Sequence, residues 1–189
     1  MNIFVTDPSP TVSAQCLPDK HIVKMPLETC QMLAIVCSDK WGHGYGDLHK
    51  ADGTPYKTEK GAFRNHPCTV WANESNINAW WLVAHGMALC DEYTYRYEKV
   101  HSCEKTILEA GAMIPFTMER PKSFARAMPI EFKNPLMSTF TAYKEYIRSK
   151  PWVSSNYLRD PSRKPWWVQE LKCLLRSTLT PFFNYNIFN

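Results

Sequence analysis

Residues 19–28 read Asp19-Lys20-His21-Ile22-Val23-Lys24-Met25-Pro26-Leu27-Glu28, and the apolar positions Met32, Leu33, Ile35 and Val36 follow at once. In helical geometry His21, Lys24 and Glu28 stand at i, i+3 and i+7, one above another on a single face. Ionisable groups are thereby held beside a segment that must be buried, the arrangement by which a protein tunes side-chain chemistry. The stretch predicts a helix that opens at Pro18-Asp19, with Pro26 kinking or restarting it, and that runs to Cys37.

Outward from this segment the pattern stays helical. Ser9-Pro10 offers an N-cap and a proline at the first helical position, so a short helix is expected over about 10–17. A broad apolar stripe of Ile77, Trp80, Trp81, Val83, Ala84, Met87, Ala88 and Leu89 predicts a long helix from Asn73 or Ser75 to about His101. Further helices are expected over about 103–111, 136–149 and 165–177, and the aromatic tail at 181–185 is expected to dock on the body. Residues 2–6 read as an extended lead-in. Residues 38–62 hold five of the seven glycines and read as a long loop. Pro115, Pro121, Pro129 and Pro135 make 112–135 irregular. The expected fold is all-α: one compact domain over 1–189 with long irregular loops, a helical core over 1–111 and a basic, aromatic-rich part over 112–189 packed on it.

The chain has 189 residues, 44% of them hydrophobic, and a net charge of +4. No apolar run is long enough to span a membrane. The N-terminus lacks the basic and apolar regions of a signal peptide, and seven cysteines without a C-x-x-C pair suit a reducing compartment. The expected location is the cytoplasm, or the host cytoplasm for a phage-encoded protein. The charge is uneven. Residues 1–119 carry 10 Lys and Arg against 14 Asp and Glu, whereas residues 120–189 carry 12 against 4. A basic, aromatic-rich C-terminal third points to a polyanion, most simply nucleic acid, although a solvated basic surface has the same composition.

Four groups of residues could carry chemistry. Lys24 and Glu28, with His21 one turn earlier, put an amine beside a carboxylate, which suits imine chemistry and equally suits a surface salt bridge. Arg64-Asn65-His66-Pro67 could supply a phosphate contact and an acid–base group, or form a turn bonded to its own backbone. Tyr93, Tyr95, Arg96, Tyr97 and Lys99, with Trp152, Trp166, Trp167, Arg163 and Lys164, interleave aromatics with basic groups as base stacking and phosphate contact require; a core edge with snorkelling cations is the alternative. His43, Asp47 and His49 could touch a metal, but their spacing matches no strong ligand pattern, and no metal or cofactor is expected.

The run Leu17-x-Asp19-x-His21 ahead of Glu28 resembles the N-terminal helix of the phage-type pyrimidine-dimer DNA glycosylases, also called phage endonuclease V. Asn65-His66-Pro67 resembles an Asn-His-Pro motif of their bacterial relatives, and Lys164-Pro165-Trp166-Trp167 is loosely similar to a stretch near the family C-terminus. The similarity covers about residues 1–100. It implies a compact helical fold that binds double-stranded DNA, flips out a base, cuts the glycosidic bond and cleaves the abasic strand. It further implies that the chain's own α-amine forms an imine at the sugar, with Glu28 assisting. His21 and Lys24 would flank Glu28, and Lys20, Arg64, Asn65, His66, Arg96, Lys99, Arg163, Lys164, Trp166 and Trp167 would hold the DNA.

Two departures stand out. The family frees its amine by removing the initiator Met before a small residue, whereas Asn2 follows Met1 here, so Met1 or Asn2 could carry the amine, and Lys24 is a further candidate. The family also places arginines just before and three residues after the glutamate, where this chain has Leu27 and Gln31. These changes leave open a transferase that modifies a DNA base on the same fold, or a non-catalytic DNA-binding or host-blocking protein. Oligomeric state is not fixed by the sequence.

Overall fold

A computed structural model describes residues 1–168. Its helices are α1 (Pro10–Gln15), α2 (Asp19–Cys37), α3 (Pro67–Asn73), α4 (Asn76–Tyr97), α5 (Glu104–Met113) and α6 (Thr139–Arg148). Short 3-10 turns occupy Ile130–Phe132, Val153–Ser155, Pro161–Arg163 and Trp166–Val168. No strand forms among the described residues, and a single bridge joins His49 to Pro55 in the glycine-rich loop. The all-α reading holds. Most of the helix expected over 165–177 and all of the aromatic tail lie outside the described residues.

Side-chain caps fix several starts. The Ser9 hydroxyl accepts from Val12 N, Ser75 from Asn78 N, and Ser138 from Thr141 N. α4 stops earlier than its pattern suggests because Glu98 takes a left-handed φ of 54° and its N–H closes on the Thr94 carbonyl. Pro26 neither breaks nor restarts α2, which runs unbroken for 19 residues. The proline is buried in the packed face of the helix, and tertiary contacts hold the turn that its missing N–H leaves open. The sequence reading missed α3. Pro67 stands at its first turn, with the preceding His66 as N-cap.

α4 is the central helix and packs on α1, α2, α3 and α5. Gly86 lets α2 approach closely, since a Cβ there would lie 2.6 Å from Thr29 Cγ2. The extended lead-in is buried: Ile3, Phe4 and Val5 belong to the core. Ser13 Oγ accepts from Thr6 N, and the Trp81 indole donates to the Pro8 carbonyl. The N-terminus is thus built into the core, beside α2.

The start of α2 is clamped. Arg96, whose side chain has no exposed surface, donates to Asp19 Oδ1 at 3.1 Å, Glu92 Oε2 at 3.1 Å, and the carbonyls of Leu17 and Gln15 at 2.8 and 3.0 Å. Asp19 Oδ2 accepts from the amides of Leu158 and Arg159. Glu92 takes a second cation, Arg163, at 2.9 Å. Arg96 is therefore no DNA contact, because its charge and donors are spent inside the fold. Arg163 pairs with the same Glu92 but stays partly exposed, and Trp167 is a buried core residue.

Candidate active site

Burying Ile3 to Val5 brings the N-terminal nitrogen against α2. Met1 N lies 3.7 Å from Glu28 Oε2, and Lys24 Nζ lies 3.0 Å from Glu28 Oε1. Glu28 is buried, while the Lys24 side chain is 68% exposed. The two amines therefore differ in kind. One is fixed by the core, and the other swings on a solvated stem.

Asn2 fixes the first amine. Its Oδ1 accepts from the amides of Ile3 and Phe4, and its Nδ2 donates to the Ala127 carbonyl at 2.6 Å. Phe4 follows with a φ of 39°, and this left-handed turn lays its ring on His21, with centroids 4.1 Å apart. Trp152 meets His21 edge-on, with centroids 5.5 Å apart. Burial, followed by the charges of Lys150 and Lys24, lowers the His21 pKa to about 3. His21 is thus a neutral imidazole at ordinary pH, and its buried Nδ1 has no hydrogen-bond partner.

These groups surround a cleft of about 370 Å³. Met1, Asn2, Phe4, His21 and Glu28 form its floor and Lys20 and Lys24 one rim. Tyr146, Lys150 and Trp152 form the other. Lys20 stands 4.8 Å over the Trp152 ring, and Lys150 stands 4.0 Å over Tyr146. Three lysines and an α-amine therefore face one carboxylate. The resulting excess of positive charge suits a phosphodiester.

The structure brings Met1, Asn2, Lys20, His21, Lys24, Glu28 and Trp152 to one place. His66 stands near them: burial and the N-terminal amine lower its pKa, and Glu28 opposes the shift. His66 Nδ1 also caps α3 by accepting from Cys68 N. Arg64 stacks 4.4 Å over Trp41, and Asn65 is exposed. Lys99, Lys164 and Trp166 do not line the cleft; Lys99 and the 80% exposed Trp166 face solvent.

His43, Asp47 and His49 do not converge. His43 Nε2 lies 3.0 Å from the Asn73 carbonyl, while His49 pairs with Glu109. Among the described residues no three His, Cys, Asp or Glu side chains gather as a metal site. The sequence reading missed Phe4, Tyr146 and Lys150. α6 turns Tyr143 and Ile147 into the core and leaves Tyr146 on the flank facing the cleft, and Lys150, just past the end of α6, reaches back over the Tyr146 ring.

The pyrimidine dimer DNA glycosylase family model matches residues 1–105. The chain belongs to that family. No curated protein and no solved structure matches it. Membership makes the chain a relative of DNA-repair glycosylases and makes DNA its substrate. The match spans the lead-in and α1 to α4, and so includes the amine and Glu28. It ends before Tyr146, Lys150 and Trp152, so the far rim of the cleft comes from outside the matched region. No helix among the described residues is long and apolar enough to cross a membrane.

Proposed function

We propose that this glycosylase acts on a damaged or modified pyrimidine in double-stranded DNA and then cleaves the abasic strand, with the Met1 α-amine as nucleophile. The observation that carries this reading is the core-anchored amine 3.7 Å from a buried carboxylate, at the floor of a lysine-rimmed cleft. The nucleotide is flipped into the cleft, since its C1′ is out of reach within the stack. The amine lone pair attacks C1′, the glycosidic C–N bond breaks, and the base leaves with that electron pair and takes a proton from water. The nitrogen, now bound to C1′, passes one proton to O4′ as the C1′–O4′ bond breaks, and the opened sugar is left as a protonated imine. Glu28 takes the C2′ proton, the electron pair expels the 3′ phosphate, and water hydrolyses the imine to return the amine. Lys20, Lys24 and Lys150 hold the flanking phosphates. Neutral His21 sets the shape of the floor and supplies no charge. Asn2 positions the amine, and its size keeps Met1 in place at the N-terminus.

Borohydride reduces an imine to a stable secondary amine. The protein incubated with abasic duplex DNA and borohydride should yield a covalent adduct, and peptide mass mapping should place it on Met1. Glu28→Gln should still bind DNA but lose strand cleavage by at least about 100-fold. No adduct on abasic duplex would refute the lyase reading, and an adduct on Lys24 would move the nucleophile there.

A further inference from the structure

Three non-glycine residues take a left-handed φ among the described residues: Phe4, Phe63 and Glu98. Two are explained by the fold. Phe4 stacks on His21 in the core, and Glu98 terminates α4. Phe63 has neither reason. Its φ is 69°, it lies between helices, and the residue is 51% exposed. No aromatic ring or cation pairs with it among the described residues. Glycine or asparagine would accept that turn freely, so a large apolar side chain is held there against the local preference.

Its position gives a reason. The Phe63 carbonyl accepts from His66 N at 2.9 Å, tying it to the segment beside the Met1 amine. Phe63 also lines a groove of about 280 Å³ with Leu27, the exposed residue directly before Glu28. The charged residues of that groove are Lys50 and Lys57, and no acid joins them. At Leu27 and Gln31, where the family resemblance implies arginines, the groove edge is uncharged. An exposed apolar pair bordered by lysines, next to a site that must extract a nucleotide, has the chemistry of a wedge. Apolar side chains that enter between base steps unstack them, and lysines hold the backbone as it opens.

We infer that Phe63, backed by Leu27, inserts into the duplex beside the target nucleotide and opens the stack, while Lys50 and Lys57 grip the adjoining phosphates. The role rests on the reading of the Glu28 cleft as a base-flipping lyase site.

The experiment compares wild type with Phe63→Gly, a variant that relieves the backbone and removes the wedge, and with Phe63→Leu. The probe is a duplex bearing one tetrahydrofuran abasic analogue with 2-aminopurine at the neighbouring step. Wild type should raise 2-aminopurine fluorescence several-fold on binding, Phe63→Gly should not, and Phe63→Leu should restore part of the signal. With a true abasic site, Phe63→Gly should trap at least about tenfold more slowly in duplex and at the wild-type rate in single-stranded DNA, where there is little to unstack. Phe63→Gly should melt no lower than wild type. Equal fluorescence from wild type and Phe63→Gly, an equal loss on both DNA forms, or a large drop in melting temperature would overturn the wedge. Absence of any wild-type adduct on either form of abasic DNA would instead refute the lyase reading, while the fluorescence series would still decide the wedge.

Discussion

Replacing Arg96 by Met tests whether this residue serves the fold or the DNA. The substitution keeps an apolar stem and removes a guanidinium that bonds two carboxylates and two carbonyls. Deleting one partner of a buried ion pair costs roughly 3–5 kcal/mol. The lower end applies here, because Glu92 retains Arg163 and Asp19 retains the amides of Leu158 and Arg159. A loss of about 3 kcal/mol lowers the melting temperature of a protein this size by roughly 6–12 °C, since each kcal/mol is worth about 2–4 °C. Native domains hold about 5–15 kcal/mol, so the variant should still fold well below its transition. Circular dichroism melts measure the first effect. Titrations of duplex DNA at several salt concentrations measure the second, and the slope of log K against log salt should stay unchanged. An unaltered melting temperature with a slope reduced by about 0.9, the signature of one lost phosphate contact, would refute the structural assignment.

Asn2→Leu keeps a side chain large enough to retain Met1 but removes three hydrogen bonds around the N-terminus, so it should cost about 2 kcal/mol in a urea titration and slow borohydride trapping while leaving the DNA salt slope intact; unchanged trapping would show that Asn2 does not position the amine. His21 falls from an ordinary 6.5 to about 3 in the folded state, so the unfolded chain takes up the proton first as pH drops. Its contribution is complete above pH 6.5 and erodes by about 2 kcal/mol on going to pH 5; His21→Gln should flatten that part of the stability–pH curve, and an identical curve would refute the assignment. Gly86→Ala forces a methyl to within 2.6 Å of the buried, β-branched Thr29, and should lower stability by about 1–3 kcal/mol despite better helix propensity; a higher melting temperature would refute the close approach.

Legibility followed range along the chain. Ser9-Pro10 and the Ser75 cap are local signals, and α1 and α4 begin where they indicate. His21, Lys24 and Glu28 share one helix, so their grouping could be read from spacing. Arg96 could not. Flanked by tyrosines it reads as a DNA contact, but the groups that claim it, Asp19 and the Leu17 and Gln15 carbonyls, lie about 80 residues away in the chain, and no spacing rule links them. Lys150 was hidden for the same reason, as it reaches the cleft only through the packing of α6. α3 escaped because seven residues between a glycine-rich loop and a long helix carry too few periods to register. His66 read as either turn or acid–base group, and the structure gives it a cap role close to the Met1 amine.

The same contrast explains how the cleft handles charge. Arginines on α2 would have placed rigid, always-charged forks beside Glu28. With Leu27 and Gln31 there instead, the positive rim is made of Lys20 and Lys24 on α2 and Lys150 across the gap, two of them lying over aromatic rings. An ammonium is a point charge on a flexible stem, so these contacts tolerate more backbone geometries than a guanidinium fork. The rigidity has passed to the floor. Asn2, Phe4, His21 and Trp152 lock one another and hold the amine at Glu28. On the proposed mechanism, a fixed nucleophile beneath an adaptable rim would suit a strand whose backbone changes shape as a nucleotide leaves the stack, and would separate the residues that set the rate of imine formation from those that set the salt dependence of binding.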